Sequence, residues 1–193
     1  PFPRSYIYPT NAEPVWRSML SNADYQIPTI WHSWLSDTGS LTDRLLTLSQ
    51  GDLRVKIINQ RLQRPRLSER QKLCLDNRAL ALVREVILYG LNQPWVYARS
   101  VLPLTTMTGR LRKLRQLDNR PLGALLFNDP SMTREPVQVA CFKSIPLLNR
   151  AQLDASVSPL WGRRSVFRLD KKPLLVSEIF LHPFKLYNQQ TKP

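Results

Sequence analysis

The chain has 193 residues, 42% of them hydrophobic, and its 28 Lys and Arg against 14 Asp and Glu give a formal net charge of +14. This length suits one domain with a sizeable core, and the apolar fraction excludes a disordered chain. No uninterrupted apolar run of about 18 residues is present, which excludes a membrane-spanning helix. Two cysteines, Cys74 and Cys141, are too few for a disulfide framework and form no zinc-binding pattern. We therefore expect no bound metal and a reduced, cytoplasmic location.

The positive charge is concentrated in three stretches. Residues 54–78, 110–120 and 163–172 carry net charges of +6, +4 and +4, which together account for the whole excess. Such a distribution is typical of a protein that binds a polyanion or a small anionic ligand. A basic, solvated surface without a partner explains the same count, so both interpretations stay open.

The first 48 residues are predicted to form an arm and then a helix. Prolines at five positions in residues 1–30 predict an extended N-terminal arm without a helix or strand of its own, and we expect one domain over residues 31–193. From Trp31 to Leu48 the apolar spacing is helical, and Ser40 followed by Asp43 is typical of a helix start. The predicted buried stripe consists of Leu41, Leu45, Leu46 and Leu48.

Most of the remaining chain is predicted to form hairpins. Residues 80–89 and 95–102 are two strands joined by a turn, and residues 165–169 and 174–181 flank a second turn at Asp170–Pro173. Weaker patterns predict a strand at 55–62, helices within 108–127, and a strand followed by a surface excursion within 135–160. Because strands come as hairpins and do not alternate with helices, the predicted fold class is α+β with a mostly antiparallel sheet.

Two charged residues interrupt the apolar faces of these strands. Side chains alternate between the faces of a strand, so Arg84 lies among Leu80, Leu82, Val86 and Leu88, and Glu178 among Leu174, Val176 and Phe180. A buried charge needs a partner, which predicts either a mutual pair or a shared polar ligand in a cavity against the sheet. A structural ion pair, or a face exposed at these points, remains an alternative.

Other motifs are less specific. The run from Trp161 to Ser165 combines an aromatic ring with Arg163 and Arg164, which suits either nucleic-acid binding or a turn covering the sheet edge. No glycine-rich phosphate loop and no GxSxG nucleophile motif is present in the sequence.

Three ordered blocks of the sequence resemble the bacterial chorismate pyruvate-lyase (chorismate lyase) family, over roughly residues 31–187. The blocks are Leu82–Leu88 with Gln93–Trp95 and Ala98–Pro103, then Arg120–Phe127 with Met132–Arg134, then Leu160–Ser165 with Lys172–Leu181. The resemblance implies an antiparallel sheet whose helices cover an internal ligand cavity. It also implies conversion of chorismate to 4-hydroxybenzoate and pyruvate, the entry step of ubiquinone synthesis, with no metal or cofactor.

The resemblance also implies roles for individual residues. Arg84 matches the arginine that binds the ring carboxylate, Glu178 the glutamate near the ring hydroxyl, and Leu122 a position whose backbone contacts the ligand. Leu41 takes the place of a methionine that contributes to the same site, a departure that is harmless if the contact is made by the backbone. Beyond the resemblance, we consider Arg163 or Arg164 as the basic group that offsets the second carboxylate of the substrate, on the enolpyruvyl group.

These implications set the expected partners. We expect a monomer that binds the small dianion chorismate, with neither a nucleic acid nor a membrane span. Two alternatives stay open: a non-catalytic ligand-sensing domain of the same fold, as in bacterial transcription regulators, and a basic nucleic-acid-binding module.

Overall fold

The architecture follows from one antiparallel sheet. The structure is a computed structural model that describes residues 13–19, 27–142 and 159–190. Within these ranges the strands are β1 Arg17–Ser18, β2 Leu53–Gln63, β3 Ala81–Gly90, β4 Gln93–Pro103, β5 Thr133–Arg134, β6 Gln138–Phe142, β7 Leu160–Leu169 and β8 Lys172–Phe180. They pair in the order β1-β6-β7-β8-β4-β3-β2, with β5 also pairing with β7. The predicted α+β class with an antiparallel sheet is confirmed.

Short helices cover the sheet. They are α1 Thr29–Leu35, α2 Leu41–Leu48, α3 Leu67–Lys72, α4 Leu122–Phe127 and α5 His182–Gln190, with a 3₁₀ helix at Gly109–Gln116. α2 begins as predicted, because the Ser40 side chain accepts a hydrogen bond from the amide of Asp43. Leu41 and Leu45 are buried, but Leu46 is exposed, so the predicted stripe is wrong at that position.

Both predicted hairpins are confirmed. Leu91 and Asn92 turn between β3 and β4, and Asp170 and Lys171 turn between β7 and β8, each residue with a positive φ. Two consecutive residues with positive φ match the right-handed twist of the flanking strands. The second hairpin is longer than predicted, because Trp161–Ser165 continues β7 and does not form a turn.

The sequence pattern did not predict several short elements. α3 and α5 lack a long periodic pattern, since one has six residues and the other nine. The arm, predicted without a helix or strand, contributes β1, which pairs with β6 at the sheet edge, and α1 already begins at Thr29. The strand within 135–160 is present as β6, whereas the excursion after it lies outside the described residues.

The face of the sheet that meets α3 carries a buried ion network. The guanidinium of Arg99 donates to both carboxylate oxygens of Glu69, at 2.6 and 3.0 Å, and to Glu85 at 2.8 Å. Glu85 also accepts from the Tyr97 hydroxyl and from the Asn59 amide. Burial tends to raise the pKa of Glu85, but these hydrogen bonds outweigh it and hold that pKa below its ordinary value. The network is therefore satisfied within the protein.

Removing the arginine should destabilise the fold. Arg99→Met leaves two buried carboxylates without their cation, and we expect the free energy of unfolding to fall by about 3–5 kcal/mol. Urea denaturation measures the change. Arg54→Met is the matched control, because the Arg54 side chain is 64% exposed and its pair with Asp52 should contribute less than about 1 kcal/mol. Equal effects of the two substitutions would contradict this account.

Acid should weaken the same network. Because the pKa of Glu85 is lower in the folded than in the unfolded chain, its ionised form stabilises the fold above the ordinary value of 4.5. That stabilisation is lost as the pH falls through the folded-state pKa. Glu85→Gln should therefore lose stability less steeply than the natural chain between neutral pH and about pH 3, as measured by urea titrations. An unchanged pH slope would show that Glu85 does not contribute.

Candidate functional site

The opposite face of the sheet brings polar side chains from five strands together. Arg84 on β3 lies opposite Ser100 on β4, which lies opposite Val176 on β8, which in turn lies opposite Ser165 on β7. Two residues further along, Glu178 on β8 lies opposite Arg163 on β7. Arg134 reaches the same place from β5, since its Nε donates to the Ser165 hydroxyl at 3.0 Å. We call these residues the polar strip: Arg84, Ser100, Arg134, Arg163, Ser165 and Glu178.

Two apolar clusters enclose the polar strip. One is built by α1, α2 and α5 on the sheet and includes Trp31, Trp34, Leu41, Leu45, Phe180 and Phe184. The other is built by α4 and the 3₁₀ helix and includes Leu102, Leu111, Leu114, Leu122, Leu126 and Phe167. Glu178 keeps 19% of its side-chain surface exposed, and Val176 on the same face of β8 is also half-buried. The other two β8 residues on this face, Leu174 and Phe180, are 0% exposed. The middle of this central strand therefore retains accessible surface between the two clusters.

Arg84 is buried, as the period-2 pattern predicts, and it has donor capacity to spare. Its Nη2 donates to the backbone carbonyls of Asp118 and Arg120, at 2.8 and 3.1 Å. Among the residues that the structure describes, its Nε has no hydrogen-bond partner. Burial lowers the pKa of this guanidinium, although its ordinary value is so high that it stays charged. A buried cation with an unused donor is suited to bind an anion.

Glu178 pairs with Arg163 and not with Arg84, so the mutual pair considered from the sequence is excluded. Arg163 Nε donates to Glu178 Oε2 at 2.7 Å, and its Nη1 donates to the backbone carbonyls of Trp34 and Asp37. The register of the β7–β8 hairpin places the two residues opposite each other. Leu169 and Lys172 are paired beside the turn, and Arg163 lies six residues before Leu169, just as Glu178 lies six residues after Lys172. The predicted strand at 165–169 stopped short of Arg163, which is why the sequence reasoning missed the pair.

Arg164 lies on the other face. It donates to the Gln138 side chain and to the Ser68 hydroxyl, and it stacks on the ring of Trp16. Burial lowers the pKa of Arg164 to about 10. Of the two arginines considered for a second carboxylate, Arg164 is therefore too far from the polar strip to serve.

Leu41 and Leu122 are each the first residue of a helix. Amide groups in the first turn have no acceptor within their own helix, so their backbone can serve a ligand. The two helix starts meet where Gly123 packs on Thr42, and a Cβ at Gly123 would lie 2.7 Å from the Thr42 hydroxyl. Glycine is therefore needed here for close approach of the two helix starts, whose leucines belong to the two apolar clusters.

The fold and the polar strip define an α+β domain in which three arginines and one carboxylate lie between two apolar clusters on one face of the sheet. No helix of the described ranges is long and apolar enough to span a membrane.

Comparisons with known proteins agree with this description. The chorismate lyase family model matches residues 14–192. Three relatives are each named as a probable chorismate pyruvate-lyase. That of Psychromonas ingrahamii is 39% identical over 80% of this chain and 83% of its own length. That of Pseudomonas aeruginosa is 37% identical over 90% of this chain and 93% of its own length. That of Photobacterium profundum is 32% identical over 91% of this chain and 95% of its own length.

Solved structures share the fold at low identity. PhnF from Mycobacterium smegmatis is 16% identical and has a TM-score of 0.56, over 76% of this chain and 65% of that chain. The C-terminal domain of the histidine utilization repressor from Pseudomonas syringae is 12% identical and has a TM-score of 0.54, over 68% and 92%. At such identities the likeness establishes the fold alone.

This chain belongs to the chorismate lyase family. The resemblance seen in the three sequence blocks is confirmed, and the match includes the part of the N-terminal arm from residue 14 onwards. The prediction that the chain is a lyase of this family is confirmed with it.

Gly123→Ala tests whether the two helix starts are held by close packing. The added methyl group would overlap Thr42, and overpacking of this kind costs about 1–3 kcal/mol in the free energy of unfolding, which exceeds the gain from alanine in a helix. Urea denaturation should show the loss. The double variant Gly123→Ala with Thr42→Ala removes the overlap and should recover most of the stability. No recovery would show that the glycine serves another purpose.

Proposed function

We propose that this chain converts chorismate to 4-hydroxybenzoate and pyruvate, the entry step of ubiquinone synthesis, without a metal or cofactor. The observation that carries the proposal is the placement of Arg84 and Glu178 on one face of the sheet, in a polar strip that two apolar clusters enclose. Membership of the chorismate lyase family supports it. A cytoplasmic, monomeric enzyme remains part of the proposal.

The reaction needs positioning more than it needs a strong acid or base. The bond from ring carbon 3 to the ether oxygen breaks, ring carbon 4 loses its hydrogen, and the ring becomes aromatic. The departing enolpyruvate gains a proton at its methylene carbon and becomes pyruvate, so all atoms of chorismate appear in the two products. Because aromatisation drives the reaction, the protein has to select a reactive conformer and stabilise the charge on the leaving oxygen.

The polar strip supplies groups for these tasks. Arg84 binds the ring carboxylate, using the Nε that has no partner in the described part of the chain. Glu178 accepts a hydrogen bond from the ring hydroxyl with the oxygen that Arg163 leaves free, since Arg163 holds only Oε2. The backbones of Leu41 and Leu122 contact the ligand at the two helix starts. Enclosure by the apolar clusters excludes water and predicts slow product release and product inhibition.

The polar contacts of the two arginines in the run from Trp161 to Ser165 also disfavour a nucleic-acid-binding module. Arg163 and Arg164 are 1% and 6% exposed, and both donate to groups of the protein. They are therefore withdrawn from the surface on which a phosphate backbone would lie. This supports the proposal that the partner is a small anion.

Turnover of chorismate tests the proposal directly. The purified chain should produce 4-hydroxybenzoate and pyruvate in equal amounts, measured by absorbance and by coupled reduction of pyruvate. Arg84→Gln should lower kcat/KM by roughly 10²- to 10³-fold, because it removes a preorganised charged donor. Arg112→Gln, on the exposed side of the 3₁₀ helix, is the control and should change nothing.

Binding measurements separate the two site residues. Glu178→Gln should lower turnover while sparing the affinity for 4-hydroxybenzoate more than Arg84→Gln does, because the ring carboxylate is held by Arg84. Isothermal titration gives both affinities. If the folded natural chain binds 4-hydroxybenzoate but does not turn over chorismate, the proposed enzyme activity is wrong. The chain would then be a ligand-sensing domain of the same fold.

A further inference from the structure

Arg134, which is half-buried, has donors that are poorly satisfied. Its Nε bonds well to Ser165, but its Nη1 reaches the carbonyls of Asp37 and Gly39 only at 3.4 Å each. Hydrogen bonds from nitrogen to oxygen are normally about 2.9–3.0 Å long, so these two contacts are weak. Within the described ranges Arg134 pairs with no carboxylate, whereas Arg163 holds Glu178 at 2.7 Å.

The charge of the polar strip is unbalanced. It contains the guanidinium groups of Arg84, Arg134 and Arg163 and the single carboxylate of Glu178. Two carboxylates lie at its margins and balance it only in part: that of Asp37, which pairs with Arg44, and that of Asp118, whose charge acts on Arg84. Burial, and next the charge of Arg163, lower the pKa of Arg134. Excess positive charge in a largely buried place is unfavourable unless an anion joins it, and a dianion would offset the charges of Arg84 and Arg134.

The two incompletely satisfied arginines lie at opposite ends of one row of the sheet. Arg84 begins the row on β3, and Arg134 contacts Ser165, which ends it on β7. Three strand spacings separate the ends, about 14 Å between backbones, and the long side chains shorten the gap between the guanidinium groups. The row can therefore hold a small molecule that carries an anionic group towards each end.

We propose that Arg134 binds the second carboxylate of the substrate, the one carried by the enolpyruvyl group. This inference rests on the proposed function. Arg163 is already committed, since Nε holds Glu178 and Nη1 holds the α1–α2 connection, and Arg164 lies on the other face. Arg134 is left as the cation that can exchange weak carbonyl contacts for a carboxylate.

The assignment divides recognition of substrate and product between two arginines. Arg84 holds the ring carboxylate, which is present in both chorismate and 4-hydroxybenzoate. Arg134 holds the carboxylate that leaves with pyruvate, so it contributes to substrate binding and loses its ligand when pyruvate departs. The structure thus predicts that Arg134 discriminates between substrate and product.

Arg134→Met tests this division. A charged hydrogen bond contributes about 1.5–3 kcal/mol, so the KM for chorismate should rise by about 10- to 100-fold while the Kd for 4-hydroxybenzoate changes by less than about twofold. Arg134→Lys keeps the charge but loses the planar fork, and it should recover part of the affinity. Urea denaturation shows whether the methionine variant folds. If it does not, the same KM and Kd measurements are made on the lysine variant.

Arg44→Met is the matched control. Arg44 holds the same α1–α2 connection, through Ser33 and Asp37, but it does so outside the polar strip. If Arg134 were only a structural clamp, its replacement would weaken binding of 4-hydroxybenzoate as well as of chorismate. That result would overturn the proposal, as would an unchanged KM for chorismate in Arg134→Met.

A non-reactive ligand separates this proposal from the proposed reaction. The enolpyruvyl ether of 3-hydroxybenzoate carries both carboxylates on an aromatic ring and cannot react further in the same way. The natural chain should bind it more tightly than 4-hydroxybenzoate, and Arg134→Met should abolish that preference. A preference that survives the substitution overturns the role of Arg134. Absence of turnover with an Arg134-dependent preference overturns only the proposed reaction.

Discussion

The ion pair between Arg163 and Glu178 organises the candidate site. It orients the Glu178 carboxylate across the β7–β8 hairpin and leaves one of its oxygens free. The same guanidinium holds the carbonyls at the end of α1, so the α1–α2 connection is anchored where the sheet is polar. α2 then begins beside α4, at the contact of Thr42 with Gly123. One buried arginine thus joins the sheet, the enclosing helices and the carboxylate.

The two faces of the sheet treat buried charge differently. On one face Arg99 satisfies Glu69 and Glu85, with further bonds from neighbouring polar groups, and the charges are balanced within the protein. On the other face the polar strip contains three arginines and one glutamate, and Arg84 and Arg134 retain unused or weakly used donors. Balanced groups stabilise the native state, whereas unbalanced ones oppose it until an anion binds. The unfavourable free energy of unbalanced charge thus arises in the polar strip, where the ligand is proposed to bind.

The net charge of +14 therefore has several origins. Arg163 and Arg164 belong to the third basic stretch and yet are buried, while Arg84 lies outside all three stretches and occupies the candidate site. Arg110 belongs to the second stretch and bridges Asp129 and Asp170 at the surface. A positive surface can still speed the approach of an anionic substrate, but the total charge does not identify the site.

Local rules were sufficient for the parts of the molecule that short-range contacts specify. Alternation along single strands placed Arg84 and Glu178 on interior faces, turn residues located both hairpins, and Ser40 with Asp43 located the start of α2. The sequence by itself thus determined the fold class and two residues of the candidate site. The order β7-β8-β4-β3, the exposure of Leu46, and the arrival of Arg134 at Ser165 were decided only in the tertiary structure. These depend on contacts between residues far apart in the chain, and a two-residue strand such as β5 has too few residues to show a pattern of its own.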